Sequence, residues 1–427
     1  MIAEELQKRP FARPLFLWIT GILLQVCFPL QRLSVWLLLP VSAVLALSFC
    51  FSPKNAAPSY HSRWMWGVLF SCIMIFMSIQ ATAYAEQHLS DLREAGWLQR
   101  QAQAAQVRMA HKLDDLRLSD DEKAILATIT ISYRRMLSRE IKQQFSTIGV
   151  SHILAVSGFH VGILYGFLSF LFSFFPKKNL FRWLRSILML LSLWTFAFIT
   201  GLCVATVRAT LMSSIFVFGQ IFHRPSERYN SLAVAAFILL AYNPFFLFDI
   251  GFQLSFIAVL FIFWLQPSLS RLAKVRNPLL AVPWDVLTIT VAAQIGTTFL
   301  CCYYFERFST VFLMSNLFLS LLATATIPLA LIWMLLPDGI MSWLGILQWV
   351  IEQLMHCFVM FVERFSMVPG AVQSLPFDFV TLVCSYAALC FLLIYFRYRR
   401  TWMLNTSLCS VLMVICWHLY MRFTAFQ

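Results

Sequence analysis

An otherwise apolar stretch of the chain, Ser151–Gly162, holds an unusual concentration of polar side chains. Its two serines and two histidines are Ser151, His152, Ser157 and His160. Serine beside histidine is the pairing used in nucleophilic catalysis. A nucleophile elbow needs the pattern G-x-S-x-G, but Ala155 and Phe159 occupy the glycine positions around Ser157. The spacing therefore argues against a serine hydrolase.

Metal chemistry is also not indicated by the spacing of the histidines and cysteines. On one helix, His152 and His160 would lie about 80° apart around the axis and about 12 Å apart along it, too far to share a metal. The eight His contain no H-x-H or H-x-x-x-H pair, and the eleven Cys contain no C-x-x-C pair. We therefore predict no metal, no cofactor and no disulfide framework.

The same stretch begins a row of small residues. Gly158, Gly162 and Gly166 recur every four residues, which places them on one face of a helix. Small residues in membrane helices allow neighbouring backbones to approach closely. We predict that this ridge packs against another helix.

Other polar residues lie in apolar segments further along the chain. They are Arg208, Asp249, Gln253, Gln294 and Asn316. Burying such side chains in a bilayer costs free energy, so each is expected to have a partner, a cavity or a function. Two interpretations remain open and are compatible: an Arg208–Asp249 structural ion pair with isolated helix-to-helix hydrogen bonds, or a polar vestibule that these residues line together with His152, Ser157 and His160.

The composition defines the elements that must position these residues. Of the 427 residues, 60% are apolar and 12% are charged, with a mean hydropathy of +0.76. This excludes a water-soluble globular protein and a disordered chain. We predict an all-α, polytopic transmembrane helical bundle of about 11–13 spans. One predicted span is 150–175, and another, 309–336, is long enough to tilt or break at Pro328.

The distribution of positive charge predicts the orientation of the bundle. With the N-terminus in the cytoplasm and the spans alternating, the inside segments carry 17 of the 32 Lys and Arg, and the short outside segments carry 4. Such a bias follows the positive-inside rule. We predict a multi-pass protein of the cell inner membrane whose C-terminus and polar linker 86–149 are extracytoplasmic. Topology then accounts for most of the +13 net charge without nucleic acid.

The linker 86–149 is the one sizeable polar segment, with ten basic and nine acidic residues. Ser119 and Glu122 form the pattern of a capping box at a helix start. An apolar stripe of Leu137, Ile141 and Phe145 has helical spacing, and Gly149 is expected to end that helix. We predict amphipathic helices on the outer membrane face or against the bundle. Arg134 and Arg135 in this linker are candidate nucleic-acid or lipid head-group contacts.

We accordingly divide the chain into four parts. They are leading transmembrane helices over 1–85, the extracytoplasmic amphipathic linker over 86–149, a channel core over 150–336 and C-terminal transmembrane helices over 337–427. The sequence contains no Walker A motif and no pair of inward-facing carboxylates. We therefore predict no enzyme activity.

Several short motifs occur in a fixed order between residues 120 and 335. They are HILAVSGFHVG from His152 to Gly162, Val207-Arg208-Ala209, GFQLSF from Gly251 to Phe256 after Asp249, Ala293-Gln294, and Ser315-Asn316-Leu317. They resemble the motifs of the ComEC competence family, whose signature is HLLAISGLHVG. This family forms the inner-membrane channel for incoming single-stranded DNA.

The chain departs from the family pattern in three ways. It has no oligonucleotide-binding-type domain before the signature, and no metallo-β-lactamase-like domain with an H-x-H-x-D-H motif. The family's Gly-Asp-Arg stretch is Ser132-Tyr133-Arg134 here, so the carboxylate is lost. We interpret the chain as a short form of the family.

The resemblance implies a channel component for single-stranded DNA uptake during natural transformation. The implied partners are single-stranded DNA, the lipid bilayer, a separate DNA-binding receptor, a helicase-type cytoplasmic motor and a separate nuclease, with a homo-oligomer left open. Arg208 and Ser151–Gly162 would line the pore, and Asp249 would hold Arg208. The alternatives are a channel or transporter for a small solute, and a truncated, non-conducting scaffold.

Overall fold

A computed structural model describes residues 9–28, 63–88, 96–175, 179–221, 227–273, 275–337 and 345–425. Within these residues the protein is built almost entirely of α-helices, so the prediction of an all-α polytopic bundle is confirmed. Within the region predicted to hold the leading transmembrane helices, 1–85, residues 29–62 lie outside the described residues. Two three-residue strands, which the sequence pattern did not indicate, form the single small sheet of the described part.

The described residues form fifteen α-helices and two short strands. In chain order they are α1 (Ala12–Cys27), α2 (Arg63–Gln87), α3 (Trp97–His111), α4 (Asp120–Ile131), α5 (Arg139–Thr147), α6 (Gly158–Leu171), α7 (Asn179–Ile199), α8 (Val204–Ile221), α9 (Arg228–Tyr242), α10 (Ile250–Leu269), α11 (Pro278–Phe305), β1 (Arg307–Ser309), α12 (Phe312–Leu335), α13 (Gly345–Ser366), β2 (Val372–Ser374), α14 (Phe379–Tyr398) and α15 (Thr401–Ala425). Helix α12 continues through Pro328 without a break.

Most of these helices have the length and composition of membrane spans. Among the described residues, α2, α7, α8 and α10–α15 are long and apolar enough to cross a bilayer. Helices α1, α6 and α9 are apolar but shorter. The protein is therefore a multi-pass membrane protein, whereas the orientation of its termini stays a prediction.

The linker helices pack into the bundle. Ser119 and Glu122 make the expected capping box, because the Ser119 hydroxyl accepts from the Glu122 N–H and the Glu122 carboxylate accepts from the Ser119 N–H at 2.9 Å. The whole of Ala124–Ile131 is buried, so α4 is a core helix within the bundle and lacks the exposed face of the amphipathic helices that we predicted on the outer membrane face or against the bundle. Helix α5 is amphipathic, with Ile141 and Phe145 buried. Its end also matches prediction, since Gly149 has a left-handed φ of +77°.

The linker also reaches the C-terminal end of α12. The Trp333 indole N–H donates to the Lys112 carbonyl at 3.1 Å, and the Lys112 ammonium donates to the Leu336 carbonyl at 2.6 Å. Only six residues earlier, Gln106 contacts the Thr200 turn at the end of α7. The linker also contacts the other end of α12, since the Ser315 hydroxyl near the start of that helix donates to the Ile148 carbonyl at 2.9 Å. The linker therefore contacts α12 at both ends.

The two ends of the bundle are held by different contacts. At one end, Arg9 before α1 pairs with Glu227 before α9 at 2.6 Å and stacks over the Tyr229 ring. At the other end, β1 pairs antiparallel with β2, with Phe308 opposite Gln373. The residues discussed below lie on elements that begin or end near this second end, beside the connection from α5 to α6.

Candidate functional site

A buried arginine joins α8 to the start of α10. The Arg208 side chain is 6% exposed and its Nη1 donates to the Asp249 carboxylate at 3.3 Å, while Nη2 donates to the Ser255 hydroxyl at 3.4 Å. Charge-assisted hydrogen bonds are usually about 2.7–2.9 Å long. Both contacts are therefore long, and the guanidinium is held loosely by its neighbours.

The sequence around Asp249 explains why the pair forms at this point. Asp249 is the N-cap of α10, and its Oδ1 accepts from the Phe252 N–H at 2.7 Å. A carboxylate at a helix N-terminus satisfies unpaired N–H groups and complements the helix dipole. Gly251 then leaves room for the arginine, since an added Cβ would lie 2.9 Å from Arg208 Nη2. The half-exposed Asp249 thus connects a helix cap with a buried cation.

A second polar cluster lies on α11 and α12. The Asn316 amide donates to the Thr290 hydroxyl at 2.7 Å, and its Oδ1 accepts from the Ser320 hydroxyl at 3.2 Å. His152 Nε2 lies 3.0 Å from the same oxygen. Since this oxygen is an acceptor, the geometry indicates that His152 donates from Nε2. The contact ties the loop before α6 to α12.

The predicted helical start of the segment 150–175 is wrong. Residues 150–157 form a loop of turns and bends, and α6 begins at Gly158. His152 and His160 are therefore not related by a helical repeat. His160 is fully buried and its Nδ1 accepts from the Ser157 N–H at 3.2 Å. Ser157 is the N-cap of α6, and its N–H is used in this bond to the His160 ring three residues further on. Such a local bond favours the start of a helix at this point over a helix that continues through it.

The glycine ridge on α6 differs from its predicted role. A Cβ added at Gly162 or Gly166 would meet no atom of the described residues within 4 Å, and one at Gly158 would lie 4.0 Å from the Ala209 Cβ. Only the first glycine therefore approaches a neighbouring helix. In the described part of the protein, the rest of the ridge faces open space.

The remaining predicted residues have different surroundings. Gln253 accepts from the Tyr304 hydroxyl at 2.8 Å and donates to the Leu247 carbonyl at 2.9 Å, which joins α10 to α11. The Gln294 side chain is partly exposed and has no hydrogen bond to any residue that the structure describes. Arg134 and Arg135 lie apart from these clusters, exposed on the turn after α4.

These contacts connect five helices in a closed order. Helix α6 packs on α8, α10 packs on α11, α11 packs on α12, and α12 returns to α6. The contact between α8 and α10 is made by the Arg208 side chain with Asp249 and Ser255. The polar side chains of both clusters therefore belong to one ring of helices, and Arg208 closes that ring.

Several buried polar atoms on α6 and α8 have no hydrogen-bond partner among the described residues. They are His160 Nε2, Thr206 Oγ1, Arg208 Nε and Thr210 Oγ1. Orphaned polar groups are rare in protein interiors, and in a bilayer each costs several kcal/mol. This part of the ring therefore holds hydrogen-bonding capacity that the described residues do not satisfy.

Sequence reasoning missed an acid–histidine pair outside this ring. His356 on α13 lies 2.5 Å from the Glu122 carboxylate of the capping box. Burial raises the pKa of Glu122, but hydrogen bonds from Ser119 and His356, together with the charge of His356, outweigh it, so the pKa lies below its ordinary value. The capping box marked Glu122 in the sequence, but its partner is 234 residues away.

Other contributors were also missed. Thr290, Ser255, Ser320 and Tyr304 carry contacts in the ring but were not predicted as site residues. Ser255 lies inside the GFQLSF motif, so the motif itself was the available signal. Hydroxyl groups on apolar helices give no such signal, because most of them bond to the preceding turn.

One family model matches more than half of the chain. The family described as "Competence protein" matches residues 129–400. ComE operon protein 3 of Bacillus subtilis (strain 168) is 31% identical over 200 residues, which cover 47% of this chain and 24% of that protein. An uncharacterized protein of Aquifex aeolicus (strain VF5) is 35% identical over 133 residues, 30% of each chain. The match thus spans less than a third of either relative, and no solved structure matches the chain.

Proposed function

Since this chain belongs to the competence protein family, we propose that it acts in DNA uptake, as the inner-membrane channel component that conducts a single DNA strand into the cytoplasm. The substrate is a polyanion with a phosphate at every nucleotide, so a conduit needs fixed cations that bind phosphate weakly enough to release it. The ring of α6, α8, α10, α11 and α12 is the candidate conduit.

The observation that carries this proposal is the state of Arg208. Its guanidinium is buried in the ring, its two hydrogen bonds are long, and its Nε has no partner among the described residues. A phosphate can therefore compete with the Asp249 carboxylate for the same donors. In this proposal the Arg208–Asp249 pair closes the path at rest, and each passing phosphate replaces Asp249 in turn.

The other predicted residues have supporting roles in the proposal. His152 and Asn316 hold the loop before α6 against α12, and Gln253 joins α10 to α11. Ser157, His160 and Gln294 add polar atoms to the same ring. The exposed glycines Gly162 and Gly166 line an open face of α6.

We propose that the chain performs no chemical step of its own. The ring contains one serine–histidine contact, with Ser157 Oγ 3.3 Å from His160 Nδ1, but His160 Nε2 has no partner among the described residues that would orient the ring as a general base. A separate receptor, a cytoplasmic helicase-type motor and a separate nuclease would then supply capture, force and strand degradation. The orientation that we propose has the N-terminus in the cytoplasm, and the linker and C-terminus outside.

The test compares variants in DNA uptake. A deletion strain is complemented with wild type, Arg208→Gln or Asp249→Asn, and nuclease-protected fluorescent DNA in the cytoplasm is scored per folded membrane protein. Asparagine still caps α10 and leaves Arg208 free for phosphate. We expect Arg208→Gln to lose uptake and Asp249→Asn to keep most of it. Equal loss in both variants would indicate a purely structural ion pair and would overturn the proposed role of Arg208.

A matched control uses the ion pair at the opposite end. Arg9→Gln also breaks a contact between two helices, Arg9–Glu227, but leaves the ring intact. We expect normal uptake from this variant. If the deletion strain itself takes up DNA normally, the channel proposal is wrong, and the small-solute transporter or the non-conducting scaffold becomes the better interpretation.

A further inference from the structure

A cleft in the linker 86–149 is lined by arginine and tyrosine, residue types that bind phosphates and bases. It measures about 320 Å³, within the usual range of ligand pockets, and is lined by Gln103, Gln106, Val107, Ser132, Tyr133, Arg134 and Arg135. No lining residue is acidic. Both arginine side chains are exposed, and neither has a hydrogen-bond or ion-pair partner in the described part of the chain.

The floor of the cleft is fixed by the end of α4. Ser132 adopts a left-handed φ of +62°, and the Thr128 hydroxyl donates to the Tyr133 carbonyl at 2.9 Å. The Gln106 amide donates to the Ile131 carbonyl at 2.7 Å. Tyr133 is partly buried against the hydrophobic core, so one side of the residue is supported while it also lines the cleft. These hydrogen bonds therefore fix the backbone that carries the Tyr133 side chain.

The cleft lies next to the start of the helix that carries Arg208. Gln106 donates to the Thr200 carbonyl at 3.3 Å, and a Cβ added at Gly201 would lie 2.9 Å from its Oε1. Three residues later α8 begins, and Arg208 lies four residues beyond Val204, a rise of about 6 Å. A strand held in the cleft would therefore lie beside the proposed path.

We propose that this cleft binds one nucleotide of single-stranded DNA before the strand reaches Arg208. The guanidinium groups of Arg134 and Arg135 take the phosphate, because each offers a fork of donors that matches phosphate oxygens. The Tyr133 ring stacks on the base, as aromatic side chains do in proteins that bind single strands. This inference rests on the proposed function and names the place where the strand first docks.

The experiment measures binding of a fluorescein-labelled twelve-residue oligothymidylate to the purified full chain in non-ionic detergent. Fluorescence anisotropy is recorded over a range of NaCl concentrations for wild type and the double variant Arg134→Gln/Arg135→Gln. Each phosphate contact with a single strand contributes about 0.7 to the slope of log K against log[salt]. Both arginines contact one phosphate in this proposal, so loss of that contact should make the slope shallower by about 0.7, which is about 5-fold in affinity at 0.1 M salt relative to a 1 M reference.

A matched control removes the same charge from elsewhere on the linker. Arg139 and Lys142 on α5 are exposed and do not line the cleft, so Arg139→Gln/Lys142→Gln should leave the slope nearly unchanged. At the aromatic position, Tyr133→Ala should weaken binding about fivefold or more, whereas Tyr133→Phe keeps the ring and should restore it.

The possible results separate this inference from the proposed function. If the two double variants weaken binding equally, the effect is general attraction and the cleft proposal is overturned, while uptake by the Arg208 and Asp249 variants still tests the channel. If the Arg134/Arg135 variant changes binding of a fluorescent phosphatidylglycerol but not of the oligonucleotide, the cleft is a lipid head-group site and the proposal is also overturned. Weak oligonucleotide binding with the predicted loss of slope supports it.

Discussion

The substitution Gly251→Ala should disturb Arg208 without removing any polar group. The added Cβ would lie 2.9 Å from Arg208 Nη2 and 3.1 Å from the Asp249 Oδ1. Ordinary van der Waals contacts begin at 3.4 Å, so the guanidinium must retreat by about 0.5 Å. The Nη1–Oδ1 distance of 3.3 Å then rises beyond hydrogen-bonding range.

The energy of this displacement can be worked from the same distances. At an effective dielectric constant of about 20, moving the two charges from 3.3 Å to about 3.8 Å weakens their attraction by roughly 0.7 kcal/mol. Loss of a hydrogen bond to a charged group adds about 1.5–3 kcal/mol. Alanine in a helix recovers about 1 kcal/mol relative to glycine. The net loss of unfolding free energy is therefore about 1–3 kcal/mol, which leaves the protein folded but the arginine displaced.

The assay is nuclease-protected DNA in complemented cells, with Gly162→Ala as the matched control. Gly162 has open space around its added Cβ among the described residues, so this variant gains the same helix propensity without touching Arg208. Unlike Asp249→Asn, which frees the guanidinium in place, Gly251→Ala pushes the guanidinium out of its position in the ring. A shift of about 1.4 kcal/mol changes the occupancy of that position tenfold, so we expect Gly251→Ala to retain about a tenth of wild-type uptake or less. Wild-type uptake from both alanine variants, at equal membrane levels, would refute the reasoning about Arg208.

Three further predictions concern stability, each measured as a melting temperature in detergent. The pKa of Glu122 is lower in the folded protein than the ordinary value of 4.5, so its carboxylate stabilises the fold fully above about pH 4.5, and this stabilisation is lost as the pH falls through the folded pKa. Glu122→Gln should flatten this fall of the melting temperature in acid. An unchanged fall would exclude the His356 contact as its source. Gly149→Ala should lower the free energy of unfolding by more than about 2 kcal/mol, because φ at this residue is +77° and the new Cβ would lie 2.7 Å from the Ser309 Cβ. An unchanged melting temperature would contradict this packing. Asn316→Ala should lower the free energy of unfolding by about 1–3 kcal/mol, because the buried hydroxyls of Thr290 and Ser320 lose their hydrogen-bond partner. A normal melting temperature for the isosteric variant Asn316→Leu would contradict the importance of these bonds.

Local patterns in the sequence predicted the parts of the fold that depend on neighbouring residues. The hydropathy of long segments predicted the helices, because a bilayer requires every backbone group in a span to bond within its own helix. Ser119 and Glu122 predicted a helix start, and Gly149 predicted a helix end, because caps act over three or four residues. A buried arginine needs a counter-ion, so the Arg208–Asp249 contact could also be anticipated.

The tertiary structure alone decided what depends on distant parts of the chain. The pattern of α4 could not show that Ala124–Ile131 would be buried on all sides, since α12 and α13 cover it from two hundred residues away. In the loop at 150–157, His152 bonds to Asn316, which lies 164 residues further on, so no local pattern could reveal this contact. The open glycine face of α6 was likewise invisible, because spacing defines a helix face but not what covers it. The sequence thus determined the helices, the caps and the need for a partner at Arg208, and the packing of distant helices decided which polar groups meet and which stay unpaired.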